Sequence, residues 1–208
     1  MSPPIPSRAV PSAGCHAIVP LSLFEAMRRL DAPVADALDE VHGELTAKRF
    51  GLNRTVATEI VRLERLARRD ASVSADELQA LIRLVARRPD AALVFSDGGR
   101  RAARRAVTRL PGAVRALRRT LPVALGRRLV ARSADRMLGL AVRWDGTVPV
   151  AEFHAGRQRD PGAACAFFGA ALAELLRQLI VFHGAMLHVS CRARGDAACV
   201  WRAASPHD

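Results

Sequence analysis

Three cysteines and one histidine near the C-terminus have the types and spacing from which a metal site can be built. In "HVSCRARGDAACVW" (188–201), His188 stands three residues before Cys191, and Cys199 follows eight residues later, beyond a Gly195-Asp196 turn. Cys165, in "AACAFF", offers a third thiol from a separate segment. Three thiolates and an imidazole are one of the usual closed ligand sets of structural zinc, with every tetrahedral position filled by protein and none left open for catalysis. Such a site would pin the terminal strands to the Cys165 segment and supply a register that an apolar face alone leaves loose. Two other readings use the same residues. Cys165 can serve as a small buried hydrophobe, and Cys191 and Cys199 can face each other across a hairpin as plain thiols. The pattern is not a paired C-x-x-C signature, so spacing alone does not choose among them.

The compartment bears on that choice. The opening "MSPPIPSRAVPSAG" holds Pro3, Pro4, Pro6 and Pro11 and no continuous apolar stretch, so 1–13 reads as a disordered leader, not a secretory signal. Without an export signal, four cysteines favour reduced thiols or metal ligands over disulfides, and the cytoplasm is the expected location. Arginines interrupt every apolar run, so no membrane span is expected.

Catalytic machinery is not legible. No G-x-G-x-x-G follows a strand, no P-loop is present, and no iron–sulfur cysteine run occurs. Asp135, Asp145 and Glu152 are single carboxylates, which read as surface or turn residues and not as the pair that general acid–base chemistry uses. No catalytic residue is assigned, and a binding protein is expected ahead of an enzyme.

The elements that must position the cysteines come from periodicity. Apolar residues at three- and four-residue steps predict helices over 20–30, 32–45 and 55–69. Ser74 three residues before Glu77 is a capping box that opens another, which Pro89 ends. After Met137 the texture changes. Asp145-Gly146 between valine-rich runs predicts a hairpin. "AACAFFGAALAELLRQLI" (163–180) is a nearly all-apolar helix, buried on most sides, and "AMLHVSCRARGDAACVWRA" a second hairpin around Gly195-Asp196. The order predicts an α+β fold, helices packed on a small antiparallel sheet. Residues 14–204 are expected to form one domain, mainly helical over 14–136, with the hairpins and buried helix over 137–204.

The net charge of +12 is carried almost wholly by arginine, Lys48 being the only lysine. From Arg83 to Arg136 there are 15 arginines against Asp90, Asp97 and Asp135, which predicts helices with one arginine-rich solvated face. Charge alone gives salt-dependent, non-specific nucleic-acid affinity. With no tyrosine and 4% aromatics, base stacking is poorly served and specific recognition is not expected. The same charge could hold the protein near anionic membrane as a peripheral partner.

The C-terminal pattern resembles the 4-vinyl-reductase domain, a small-molecule-binding module distantly similar in fold to the TRAPP vesicle-tethering subunits. That family places a cysteine at the start of a buried helix, then an acidic residue, a cysteine three residues on, a Gly-Asp turn and a last cysteine. Here those positions are Cys165, His188, Cys191, Gly195-Asp196 and Cys199. In phenol-sensing members the equivalent residues hold a structural zinc, so the resemblance implies zinc at these four. His188 replaces the usual glutamate and is itself a competent ligand. "AGCHAIVPLSLFEAM", "ALVFSDGGRRAARRAV" and "LPVALGRRLVARSADRMLGLAVRW" are similar to the bacteriochlorophyll 4-vinyl-reductase subgroup, with Cys15 and His16 in place of its Pro-Asn. The likeness covers most of 13–203 and is strongest over the last forty residues.

The resemblance implies a place in bacteriochlorophyll biosynthesis, binding or handling a tetrapyrrole. It also implies a partner enzyme of that pathway and a homodimer. The expected pocket lies between helices and sheet, with candidate lining residues Phe95, Trp144, Phe153, Phe167, Phe168 and Phe182, and with His154 and His183 as candidate ligand contacts. Each aromatic has core packing as its alternative. Arginines of the 100–119 segment could meet ligand carboxylates. The competing function is a stand-alone sensor that binds a small aromatic and signals to a partner.

Overall fold

The computed structural model describes residues 14–31, 52–117, 120, 122–153 and 162–204. The expected leader, the expected helix over 32–45 and His154 lie outside these residues. The chain runs β1 (Cys15–His16), α1 (Ile18–Leu30), α2 (Leu52–Arg68), β2 (Ser72–Val73), α3 (Ala75–Ala86), α4 (Ala91–Thr108) and α5 (Gly112–Leu117). It continues through α6 (Val123–Leu138), β3 (Leu140–Asp145), β4 (Val148–Phe153), α7 (Cys165–Leu179), β5 (Ala185–Ser190) and β6 (Cys199–Ala204). The fold is α+β, with two small antiparallel sheets.

Local chemistry accounts for the boundaries. Ser74 caps α3 by accepting the Glu77 backbone N–H at 3.2 Å. The reciprocal half of the capping box is absent, because the Glu77 carboxylate pairs with Arg62 of α2 instead. Gly139, at φ 66°, closes α6 in the left-handed conformation that glycine adopts without steric cost. The β3–β4 hairpin turns at Gly146 (φ 60°), with Asp145 paired to Val148. The larger sheet has the order β3-β4-β6-β5, so the terminal hairpin joins the first one through β6. The two-residue β1–β2 ladder carries no periodic signal and was not expected.

Helix α7 is wedged between α4 on one side and the sheet on the other, and its neighbours bury Phe167, Phe168, Leu172, Leu175, Leu176 and Leu179. One correction to the sequence reading follows. Gly162–Leu179 does have the length and mean hydropathy (1.2) of a membrane span, yet 61% of it is buried inside the fold, where apolarity serves core packing.

Helix α4 approaches both α1 and α7 closely through adjacent glycines. A Cβ on Gly99 would stand 2.2 Å from the Phe167 carbonyl oxygen, and one on Gly98 would stand 3.0 Å from a Leu23 methyl. Glycine inside a helix costs about 1 kcal/mol relative to alanine; here it lets backbones meet where any side chain would collide.

The arginines of α4 do more than form the expected solvated face, on which Arg100 and Arg104 are exposed. Arg101 and Arg29 both bond the buried Asp97, at 2.8 and 3.0 Å. Arg104 reaches Glu174 of α7 at 2.8 Å, and Arg105 pairs with Glu25 of α1. These acids are buried between helices, and burial of a carboxylate is tolerated only with such partners. Arg104 and Arg105 thus tie α7 and α1 to the central helix, which leaves these two and Arg101 engaged with acids.

Candidate metal centre

Cys165 opens α7, immediately after a short 3-10 turn over Gly162–Ala164. His188 lies in β5 opposite Trp201 of β6, and the two rings stack at 4.9 Å between centroids, 15° from parallel. A β-bulge between His188 and Ser190 breaks the ladder just before Cys191, the kind of irregularity that re-aims side chains beside a site. Cys199 begins β6. Donors from α7, β5, the β5–β6 connection and β6 thereby converge. One ligand atom from each of Cys165, His188, Cys191 and Cys199 lies within 4.8 Å of all the others. The sulfur of Cys165 is 3.8 Å from that of Cys191 and 3.8 Å from that of Cys199. The three thiols are free and buried.

The connection between β5 and β6 folds around the sulfurs. Arg192–Arg194 form a 3-10 turn closed by Gly195 at φ 98°, a left-handed position suited to glycine. Asp196 accepts the Cys191 backbone N–H at 2.6 Å, and Ser190 donates to the Ala198 carbonyl at 2.9 Å, so both ends of the loop are fastened. The Arg192 N–H donates to the Cys199 sulfur at 3.4 Å. Consecutive backbone N–H groups turned toward sulfur form a small anion-stabilising nest.

Electrostatics divide the donors. Burial, reinforced by the charges of Cys199 and Cys191, pushes the Cys165 thiol up. Burial also raises Cys191, but hydrogen bonds from the Ala193 N–H, from Cys165 and Cys199, and from the Arg194 N–H outweigh it and hold the thiol below its ordinary range. Burial, together with the positive charge of Arg194, holds His188 below its usual value, which favours the neutral imidazole that ligates metals. Nε2 of His188 is buried and lacks a hydrogen-bond partner. Sulfurs this close cannot all ionise unaided; a cation among them would permit it.

The expected pocket residues fall into two places. Trp144, Phe182 and His183 line a cleft of about 930 Å³ with the C-terminal end of α7, the start of α6 and the β3–β4 turn. Phe95, Phe167 and Phe168 are core residues, 0%, 2% and 6% exposed. Phe168 packs on Phe153 at 4.6 Å and on Trp201 at 5.8 Å between centroids, extending an aromatic row to His188. The cleft and the metal centre occupy opposite ends of α7. At 1.5 Å per residue the helix separates them by roughly 20 Å.

Residues the sequence reading did not single out as a site form a second polar cluster. His16 is buried, and its Nε2 lies 3.0 Å from Asp70, which Arg109 and Arg136 also hold. Its Nδ1 accepts the Ile18 N–H at 3.1 Å, which satisfies one of the free donors at the start of α1. Both ring nitrogens are thus engaged, and the cluster fastens β1 to the α2–β2 connection.

Compared with known proteins, the chain matches no family model, no curated protein and no solved structure. What the geometry itself supports is a Cys/His cluster, its three thiols buried and His188 half-buried, able to hold a metal ion.

Proposed function

We propose that this chain is a small-molecule-binding protein of the 4-vinyl-reductase type. In this reading Cys165, His188, Cys191 and Cys199 hold a structural zinc, and the cleft takes a hydrophobic planar ligand, a tetrapyrrole of the chlorophyll-precursor class. The observation that carries it is the convergence of the four residues on which the family resemblance rests. Zinc–sulfur bonds of about 2.3 Å place the sulfurs at the corners of a tetrahedron with edges of about 3.8 Å, the separation of Cys165 from both other thiols. With four protein donors, zinc supplies folding energy and no reaction site. The cleft supports the ligand half of the reading, since its volume of about 930 Å³ lies within the roughly 300–1,000 Å³ usual for small-molecule sites.

The test is elemental analysis and an absorption spectrum of the protein purified from its own host. About one zinc per chain, as a closed four-donor site requires, with a porphyrin- or chlorin-like band supports the proposal. Zinc with a colourless phenolic supports the sensor reading instead, and absence of both overturns it.

A further inference from the structure

The cleft at the C-terminal end of α7 has a lopsided electrostatic lining. Arg127, Arg177 and His183 contribute to it, and among the described residues no aspartate or glutamate does. The other interior-reaching arginines are matched by acids: Arg101 by Asp97, Arg104 by Glu174 and Arg105 by Glu25. Arg127 and Arg177 make no ion pair among the described residues; each donates to a backbone carbonyl, of Gly146 at 3.1 Å and of Gly184 at 3.4 Å respectively. Glu174, which feels the charge of Arg177, is already held by Arg104 and Gln178.

Two further features mark this end as short of an acceptor. The Arg127 guanidinium lies 4.6 Å from the centre of the Trp144 ring, and both Nε of Arg127 and Nε1 of Trp144 are buried without a hydrogen-bond partner. Buried donors are normally satisfied, and unsatisfied ones call for a missing partner. The start of α6 also lines the cleft through Val123, and its first turn contains no acidic residue to meet the positive end of the helix dipole. The rest of the described lining is largely apolar and includes Trp144, Val148, Pro149, Ile180 and Phe182.

We infer that the cleft binds an amphipathic anion, a hydrophobic planar body carrying a carboxylate that is received by Arg127 and Arg177. This rests on the proposed reading of the cleft as the ligand site and adds the charge of the ligand and the residues that recognise it. A carboxylate only accepts hydrogen bonds and pairs with guanidinium in two-point fashion, which suits a lining of donors. Of the arginines in the 100–119 segment that the sequence suggested for this role, Arg101, Arg104, Arg105 and Arg109 are paired with acids elsewhere.

The experiment titrates the full-length protein with a metal-free porphyrin dicarboxylic acid, with its neutral dimethyl ester, and with an anionic naphthalene sulfonate, following tryptophan quenching. Arg127→Met, Arg177→Met and the double variant are compared, with melting curves to verify folding. Arg177→Met leaves the Arg127–Trp144 stack intact and keeps the test available should Arg127→Met fail to fold. The acid should bind the unaltered protein about tenfold more tightly than the ester, and the double variant should lose most of that preference while keeping its affinity for the ester. Equal binding of acid and ester overturns the inference and leaves the planar-ligand reading standing. Binding of the sulfonate alone, weakened by both substitutions, sustains the anion site and overturns the tetrapyrrole reading. No binding of any probe overturns both.

Discussion

Cys165 and Cys191 are 26 residues apart in the chain and 3.8 Å apart at their sulfurs. One thiol is delivered by the first turn of a buried helix, the other by the end of an edge strand, and nothing covalent joins them. The two are brought together only when α7 has docked against the sheet, so a cation bound there is bound to the folded state. Metal affinity and stability are therefore one quantity measured in two ways.

Replacing Cys191 or Cys199 with serine should release the metal and destabilise the fold. A loss of about 3–5 kcal/mol corresponds to a fall in Tm of roughly 6–20 °C for a chain of this size. Calorimetry with and without a chelator measures it: chelator should lower the Tm of the unaltered protein and leave the serine variants unmoved.

His188 is expected to act as a ligand and not only as the stacking partner of Trp201. His188→Cys should keep the metal, because a thiolate is an equivalent donor, while His188→Ala should weaken binding by about 10-fold or more. Competition with a chromophoric chelator gives the affinities. Equal affinity in the two variants would make stacking its whole role.

Gly99→Ala should destabilise despite alanine's higher helix propensity. The new methyl meets the Phe167 carbonyl, and forcing α4 from α7 should cost about 1–3 kcal/mol, outweighing the gain of about 1 kcal/mol in propensity. Gly98→Ala crowds a Leu23 methyl, with the Ser22 and Leu23 backbone no closer than 3.4 Å, and should be the milder of the two in denaturant unfolding.

The pair of Arg104 and Glu174 should respond asymmetrically. The Glu174 side chain is 8% exposed and that of Arg104 62%. Arg104→Met strands a buried carboxylate and should cost about 2 kcal/mol, whereas Glu174→Gln keeps an acceptor and releases an arginine to water, for less than about 1 kcal/mol. Burial raises the Glu174 carboxyl, but Arg104 and Gln178 outweigh it and hold it below the ordinary value of 4.5. A depressed folded value means that the stabilisation is present above the unfolded value and is lost as pH falls through the folded one. The unaltered protein should thus lose stability below about pH 4.5 more steeply than Glu174→Gln; parallel curves would contradict this.

Much of the scaffold was legible because its signals are local. Ser74 announced α3, Asp145-Gly146 announced the β3–β4 hairpin, and the nearly continuous apolarity of 163–180 announced a helix buried on most sides. The cysteine cluster was legible as a candidate because donor type and spacing are chemical facts of the chain, although its closure depends on α7 meeting the sheet. What was not legible depends on distant partners. Arg104 and Arg105 look like no more than a solvated face until Glu174 and Glu25 arrive from other helices. Gly98-Gly99 looks like a weak point in α4 until Leu23 and Phe167 close on it. Arg127 and Arg177 have no local signature separating them from the chain's other arginines; only the fold leaves them facing a cleft with no acid among its described lining residues.

The central claim is the metal centre, and X-ray absorption at the zinc edge of the purified protein tests it most directly. Three sulfurs at about 2.3 Å and one nitrogen at about 2.0–2.1 Å, at one zinc per chain, are the predicted result. No bound zinc, or a shell made mainly of oxygen, would contradict it.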